Sequence, residues 1–154
     1  MQGVTIRIAT TDDVPQVAAM AKVWEEEGTT RGFRAETADE LREQQTKCVF
    51  YVATRDAQVI GYAIGEIRQT ANNEFVEGVL DDRPSYLEVQ NIRVAAEHRN
   101  RGIGAAMMKA LLDAAAEQGV TGSLVYSSNR DYIRTARFYE KLGYEMWHIH
   151  MTRK

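Results

Sequence analysis

Apolar and polar residues alternate through VTIRIA, Val4 to Ala9, the period of a half-buried strand. Thr11, Asp12 and Asp13 then offer the acceptors that open a helix, and Val14, Val17, Ala21 and Trp24 follow at helical spacing. EEEGTTRGFRAE reads as loop. Thr37 and Glu40 form an S/T-x-x-E capping signature ahead of Leu41, which predicts a second, short helix ending near Thr46. CVFYVATRDAQVIGYAIGEIRQ is rich in β-branched and aromatic residues on either side of Arg55-Asp56-Ala57-Gln58, so a hairpin is predicted. The polar, turn-rich TANNEFVEGVLDDRPS gives way to strand character in YLEVQNIRV. Strict alternation there would put Glu88, Gln90 and Ile92 on one face and Leu87, Val89 and Asn91 on the other. A glycine-bearing loop then leads to a helix from about Gly104 to Gln118, with Ile103, Met107, Ala110, Leu111 and Ala114 on one side. Gly119 and Gly122 end it, SLVYSS is a short strand, DYIRTARFYEKL is helical up to Gly143, and YEMWHIHMT reads as a last strand.

The resulting order, β-α-α-β-β-β-α-β-α-β, is mixed α/β with an antiparallel first half and a βαβ crossover around the glycine loop. A length of 154 residues suits one domain over 1–154, and 44% apolar with 27% charged residues is a soluble, globular composition. The net charge of −3 gives no electrostatic reason to expect nucleic acid. The single cysteine, Cys48, has no intrachain partner, and MQGVTIRIAT lacks the apolar core of a secretory signal, so the cytoplasm is the expected compartment. No apolar run approaches the roughly 20 residues of a membrane span.

Function is expected at the crossover. In HRNRGIGAAM, His98 to Met107, the chain leaves a strand and enters a helix whose first N–H groups lack acceptors and sit at the positive end of its dipole. Gly102 and Gly104 clear the approach, Arg99 and Arg101 add charge, and the combination suits a phosphate better than a mere tight turn. Two phosphate folds are excluded. A dinucleotide fingerprint needs a third glycine where Met107 stands, and a Walker loop needs a G-K-S or G-K-T that is absent.

Arg99-x-x-Gly102-x-Gly104-Ala105 after a strand resembles the acyl-CoA pyrophosphate loop of the GNAT N-acetyltransferase superfamily. SSNRDYIRTARFYEKLGY resembles that family's later motif through Asn129, Ala136, Phe138, Tyr139, Gly143 and Tyr144, with Ala136 one residue off the commonest register. The resemblance covers the whole chain. It implies a central, mostly antiparallel sheet of roughly six to seven strands flanked by about four helices, with strands four and five parallel and splayed. It also implies acetyl-CoA as co-substrate and no metal. Ile92, Arg93 and Val94, with Asn91 before them, would line the pantetheine arm, while Arg99, Asn100, Arg101, Gly102, Ile103, Gly104 and Ala105 would hold the pyrophosphate.

Transfer of acetyl from a thioester to an amine needs a polarised carbonyl, removal of an amine proton and protonation of the departing thiolate. The resemblance assigns the last task to Tyr139, whose phenol is protonated at rest; an aromatic packing role is the alternative. Asn129 is either a hydrogen-bonding partner of the cofactor or of an ordered water, or a turn residue. Glu88 is the candidate general base, with Glu66 and an ordered water as rivals. His148 and His150 alternate like a metal pair but lack a third ligand at suitable spacing, and Cys48 has no nearby histidine to activate it.

The acceptor is expected to be a small cationic amine. Glu25, Glu26 and Glu27 end the first helix and Glu74, Glu77, Asp81 and Asp82 crowd the loop before the fourth strand, outweighing Arg31, Arg34 and Arg83. A protein N-terminus or lysine as acceptor, and a non-catalytic acyl-CoA sensor, are the competing readings. Expected partners are thus a small molecule rather than nucleic acid or membrane, with monomer and homodimer both open.

Overall fold

A computed structural model describes residues 3–71, 76, 78–80, 82–147 and 151. The elements are β1 (Thr5–Ile8), α1 (Val14–Glu27), α2 (Ala38–Lys47), β2 (Val49–Arg55), β3 (Gln58–Gln69), β4 (Ser85–Val94), α3 (Ile103–Ala116), β5 (Gly122–Val125) and α4 (Tyr132–Glu140). The strands form one sheet in the order β1-β2-β3-β4-β5, antiparallel except for the parallel pair β4–β5. The expected six to seven strands are therefore corrected to five among the described residues. The shortfall is at the C-terminus. Residues 144–147 are not strand, and Met146 and Trp147 are both mostly exposed, which a half-buried strand does not allow for adjacent residues. Residues 148–150 lie outside the described residues.

Local chemistry accounts for most boundaries. The Glu40 N–H donates to Thr37 Oγ1 at 3.3 Å and the Thr37 N–H to Glu40 Oε2 at 2.7 Å, so the expected capping box opens α2. Ahead of α1 the Thr10 N–H donates to Asp13 Oδ2 at 2.7 Å, and a short 3-10 turn over Thr11–Asp13 precedes the α-helix proper. The β2–β3 hairpin turns at Asp56 and Ala57, both with positive φ (49° and 63°), the signature of a two-residue type I′ turn.

Two apolar clusters sandwich the sheet. Ile103, Met107, Met108, Leu111 and Ala115 of α3 pack on one face against residues that include Ala53, Ala63, Leu87 and Val89. That stripe is rotated from the expected one, with Met108 and Ala115 fully inside in place of Ala110 and Ala114. Val14, Val17 and Trp24 of α1 and Leu41 of α2 cover the other face, against Phe50, Val52, Tyr62 and Ile64.

One irregularity sets the geometry of β4. Ile64 pairs with Asn91 and Gly65 with Val89, so β4 carries an extra residue, Gln90, opposite a continuous β3. The bulge reverses which residues face which side. Leu87 and Val89 belong to the α3 cluster before it and Ile92 and Val94 after it, whereas Asn91 turns toward Glu36, to which its Nδ2 donates at 2.7 Å. The strict alternation expected for Glu88, Gln90 and Ile92 is corrected accordingly.

Candidate active site

The β4–β5 ladder runs only from Tyr86↔Gly122 to Val89↔Val125. Beyond the bulge, β4 continues to Val94 without a strand partner on that side among the described residues, while the chain leaving β5 turns away to pair with the loop after α1. There the Arg31 N–H donates to the Ser128 carbonyl at 3.0 Å and the Arg130 N–H to the Thr29 carbonyl at 2.8 Å, around a bridge between Thr30 and Asn129. The outcome is a gap flanked by Ile92, Arg93 and Val94.

The N-terminus of α3 opens at one end of this segment. Gly102 is its N-cap with φ of 79°, and Asn100 before it has φ of 61°, both in the left-handed region. The Ala106 N–H is the first to find a carbonyl inside the helix, that of Gly102, at 3.0 Å. The N–H groups of Gly102, Ile103, Gly104 and Ala105 have no acceptor within the helix, and a cradle of successive N–H donors at a helix start is an anion site. Gly104 lies against the Phe138 ring, which a Cβ there would meet at 3.4 Å, an ordinary contact distance.

Two of the basic side chains near the loop turn toward α1. Arg99 Nη2 donates to both oxygens of Glu27, at 3.0 and 2.9 Å, and its Nε donates to the Val94 carbonyl at 3.0 Å. Arg93 is buried, 2.5 Å from Glu27 and with its guanidinium 5.2 Å from the centre of the Trp24 ring, so its side chain faces α1. Arg101 is exposed. Sequence reasoning missed Arg134, whose Nη2 donates to Asn100 Oδ1 at 3.1 Å and which brings a second cation to the loop from the first turn of α4. It lies in the motif SSNRDYIRTARFYEKLGY, but nothing in the sequence pairs α4 with the loop.

Asp131 caps α4 by accepting from the Arg134 N–H at 3.1 Å, and Asn129 Oδ1 accepts from the Asp131 N–H at 2.9 Å, a turn role for that oxygen. Further along the helix, Tyr139 stacks edge-on against Phe138 and Tyr144, with ring centres 5.0 and 5.4 Å away. The hydroxyls of Tyr144 and Ser123 of β5 are hydrogen-bonded at 2.5 Å, which sets Tyr139 beside β5 on the α3 side of the sheet. Burial, with help from Tyr144, pushes the Tyr139 phenol well above its ordinary pKa, so it holds its proton firmly.

The carboxylates lie on the opposite face. Glu88 is paired in register with Glu66, and Arg68 bridges the two like charges, 3.2 Å from Glu88 and 2.9 Å from Glu66. Gln90 Nε2 also donates to Glu66, at 2.7 Å. Beside them, between α2 and strands β3 and β4, is a cavity of about 530 Å³ whose wall includes Glu36, Glu40, Glu43 and Glu66 against Arg34 and Lys47. Of the acidic residues expected to face an acceptor, Glu27 is occupied by two arginines, and Glu74, Glu77 and Asp81 lie outside the described residues, as do His148 and His150.

A parallel strand pair that stops pairing beside a helix N-terminus offers an elongated slot with an anion site at its mouth. Residues 17–144 match the acetyltransferase (GNAT) family, and the chain belongs to that family. Similar solved structures agree on the fold. One is an aminoglycoside acetyltransferase, meta-AAC0020, from an uncultured soil metagenomic sample in complex with trehalose (TM-score 0.72, 15% identity, 99% of this chain and 96% of that one). A second is a predicted acetyltransferase with acetyl-CoA from Clostridium acetobutylicum (TM-score 0.72, 16% identity, 98% and 96%). A third is the aminoglycoside N-acetyltransferase AAC(6')-Iy in complex with CoA (TM-score 0.75, 17% identity, 98% and 94%). No curated protein matches the sequence significantly.

Proposed function

We propose that this protein is an acetyl-CoA-dependent N-acetyltransferase that passes acetyl directly to a primary amine of a small cationic molecule. The observation that carries the reading is the conjunction of a strand pair that stops pairing at Val89↔Val125 with a helix start whose N–H groups are free of internal acceptors. The donor set fits an elongated acyl-CoA. The N–H groups of Gly102 to Ala105, supported by Asn100, Arg101 and Arg134, would hold the pyrophosphate, and β4 from Ile92 to Val94 would take the arm as an added strand. Arg93 and Arg99 shape this site from behind, and Asn129 acts through its turn.

Acetyl-CoA supplies an acyl group activated as a thioester. The amine nitrogen forms a bond to the carbonyl carbon while the C–S bond breaks, and a backbone N–H near Ile92 to Val94 stabilises the charge developing on oxygen. Tyr139, on the α3 face, gives its proton to the departing thiolate. The amine's proton leaves on the other face, to Glu88 or Glu66 directly or through water. The acid and the base thus stand on opposite sides of the sheet, joined through the gap. Four carboxylates against two cations around the α2 cavity favour a positively charged acceptor, and the aminoglycoside acetyltransferases among the structural neighbours suit the same class.

Millimolar CoA is expected to raise the melting temperature through linkage. In an acetyl-transfer assay polyamines and aminoglycosides should outperform anionic amino acids, with salt raising the acceptor KM more than it lowers kcat. Absence of any CoA stabilisation overturns the acetyltransferase reading, whereas preference for anionic acceptors without a salt effect overturns only the acceptor class.

A further inference from the structure

Glu27, the last residue of α1, engages the guanidinium groups of Arg93, near the end of β4, and Arg99, at the start of the glycine loop. Its carboxylate lies 2.5 Å from Arg93 Nη2 and accepts from Arg99 Nη2 through both oxygens, at 3.0 and 2.9 Å. Burial alone would raise the carboxyl's pKa, but the hydrogen bonds from Arg93 and then Arg99 outweigh it and hold the group below its ordinary value. Glu27 is therefore ionised at neutral pH. Two guanidiniums on one carboxylate leave the cluster with excess positive charge, and the buried Nε of Arg93 has no hydrogen-bond partner among the described residues.

The cluster's position gives it more than a packing role. Arg99 is the residue immediately before Asn100 and the left-handed turn that aims the α3 N–H groups, and it is fixed at both ends of its guanidinium: Nη2 on Glu27, Nε on the carbonyl of Val94. Arg93, one residue before Val94, is held by the same carboxylate and by Trp24. A single acidic side chain therefore ties the end of β4, which faces the arm, to the start of the loop that faces the pyrophosphate.

We propose that Glu27 is a positioning residue for the cofactor: acting through Arg99, it sets the separation between the β4 edge and the α3 N-terminus that one extended acyl-CoA must span. The proposal rests on the acetyltransferase reading. It is distinct from the sequence-level expectation that Arg99 and Glu27 serve different ligands, a pyrophosphate and an amine.

The test is a double-mutant cycle in the full chain, Glu27→Gln, Arg99→Gln and both together, read as CoA affinity by calorimetry and as kcat and KM for each substrate. Glu27→Gln should weaken CoA about tenfold and raise the acetyl-CoA KM to match, with kcat and the acceptor KM within about threefold. The double variant should bind CoA no more weakly than Arg99→Gln alone, and Glu27→Asp, which keeps the charge, should recover part of the affinity even if Glu27→Gln folds poorly. Strictly additive losses, or a lower melting temperature with unchanged CoA affinity in Glu27→Gln, overturn the proposal alone. Failure of the unaltered chain to bind CoA overturns the acetyltransferase reading and this proposal with it.

Discussion

Tyr139 combines two properties that a leaving-group acid needs: a phenol kept protonated by burial, and a place beside β5 fixed by the Tyr144–Ser123 hydrogen bond. Tyr139→Phe keeps the ring and its contacts with Phe138 and Tyr144 while removing the hydroxyl. Turnover should fall roughly 10- to 1000-fold, measured where chemistry limits the rate, with CoA affinity little changed. Because the phenol's pKa is raised, the proton donor should not titrate away below about pH 10, and the alkaline limb of kcat should belong to some other group. The contacts of Arg93 and Arg99 with Glu27 were not legible in the sequence, because a guanidinium beside a glycine loop looks the same whether it meets a phosphate or a carboxylate, and Glu27 is 72 residues away from Arg99.

Among the elements, β4 carries the most consequence, and Gly61 of β3 guards its course. A Cβ at Gly61 would stand 2.8 Å from the Arg93 carbonyl oxygen and 3.1 Å from Met107 Cε. The methionine can move; the backbone cannot without shifting β4. Gly61→Ala should therefore cost about 1–3 kcal/mol, as overpacking does. Since the displaced backbone borders the cofactor gap, the stabilisation given by CoA should shrink as well, and thermal melts with and without CoA would show both. The hairpin and both early helices were readable because their signals are local: a polar turn between two β-rich runs, and Thr37 three residues before Glu40. The bulge at Gln90 was missed although YLEVQNIRV marks it: two adjacent polar residues, Gln90 and Asn91, break the alternation and move the apolar positions from Leu87 and Val89 to Ile92 and Val94, and the pairing with β3 shows why. The expected last strand is not found at residues 144–147, where the adjacent Met146 and Trp147 are both mostly exposed; residues 148–150 of it lie outside the described residues.

At the scale of the molecule, the acid limb of stability should reflect the tie between β1 and the start of α1. Arg7 makes two hydrogen bonds to Asp13, at 2.6 and 2.7 Å, and these chiefly hold the Asp13 carboxyl at about 2, down from 3.8. A carboxyl whose folded pKa is depressed adds stability above its unfolded value and loses it as pH falls toward the folded one, here between about pH 4 and 2. Asp13→Asn should cost about 1–2 kcal/mol at neutral pH, discounted for the partly exposed Arg7, and should flatten that limb in urea titrations run across the range. The order of elements from β1 to α4 was legible at this scale, but the joint between the loop after α1 and the loop after β5 was not, since each reads as polar loop on its own. That joint, with contacts such as Ser128 Oγ to the Arg31 carbonyl and Arg130 Nε to the Gly28 carbonyl, connects positions 97 and 102 residues apart. Closing so long a stretch of chain is entropically costly and is rewarded only after both halves have condensed. During synthesis the loop after α1 therefore emerges untethered, and the gap beside β4 acquires its flank only when the segment after β5 has reached that loop, so the proposed acyl-CoA cleft is not assembled before the two loops meet.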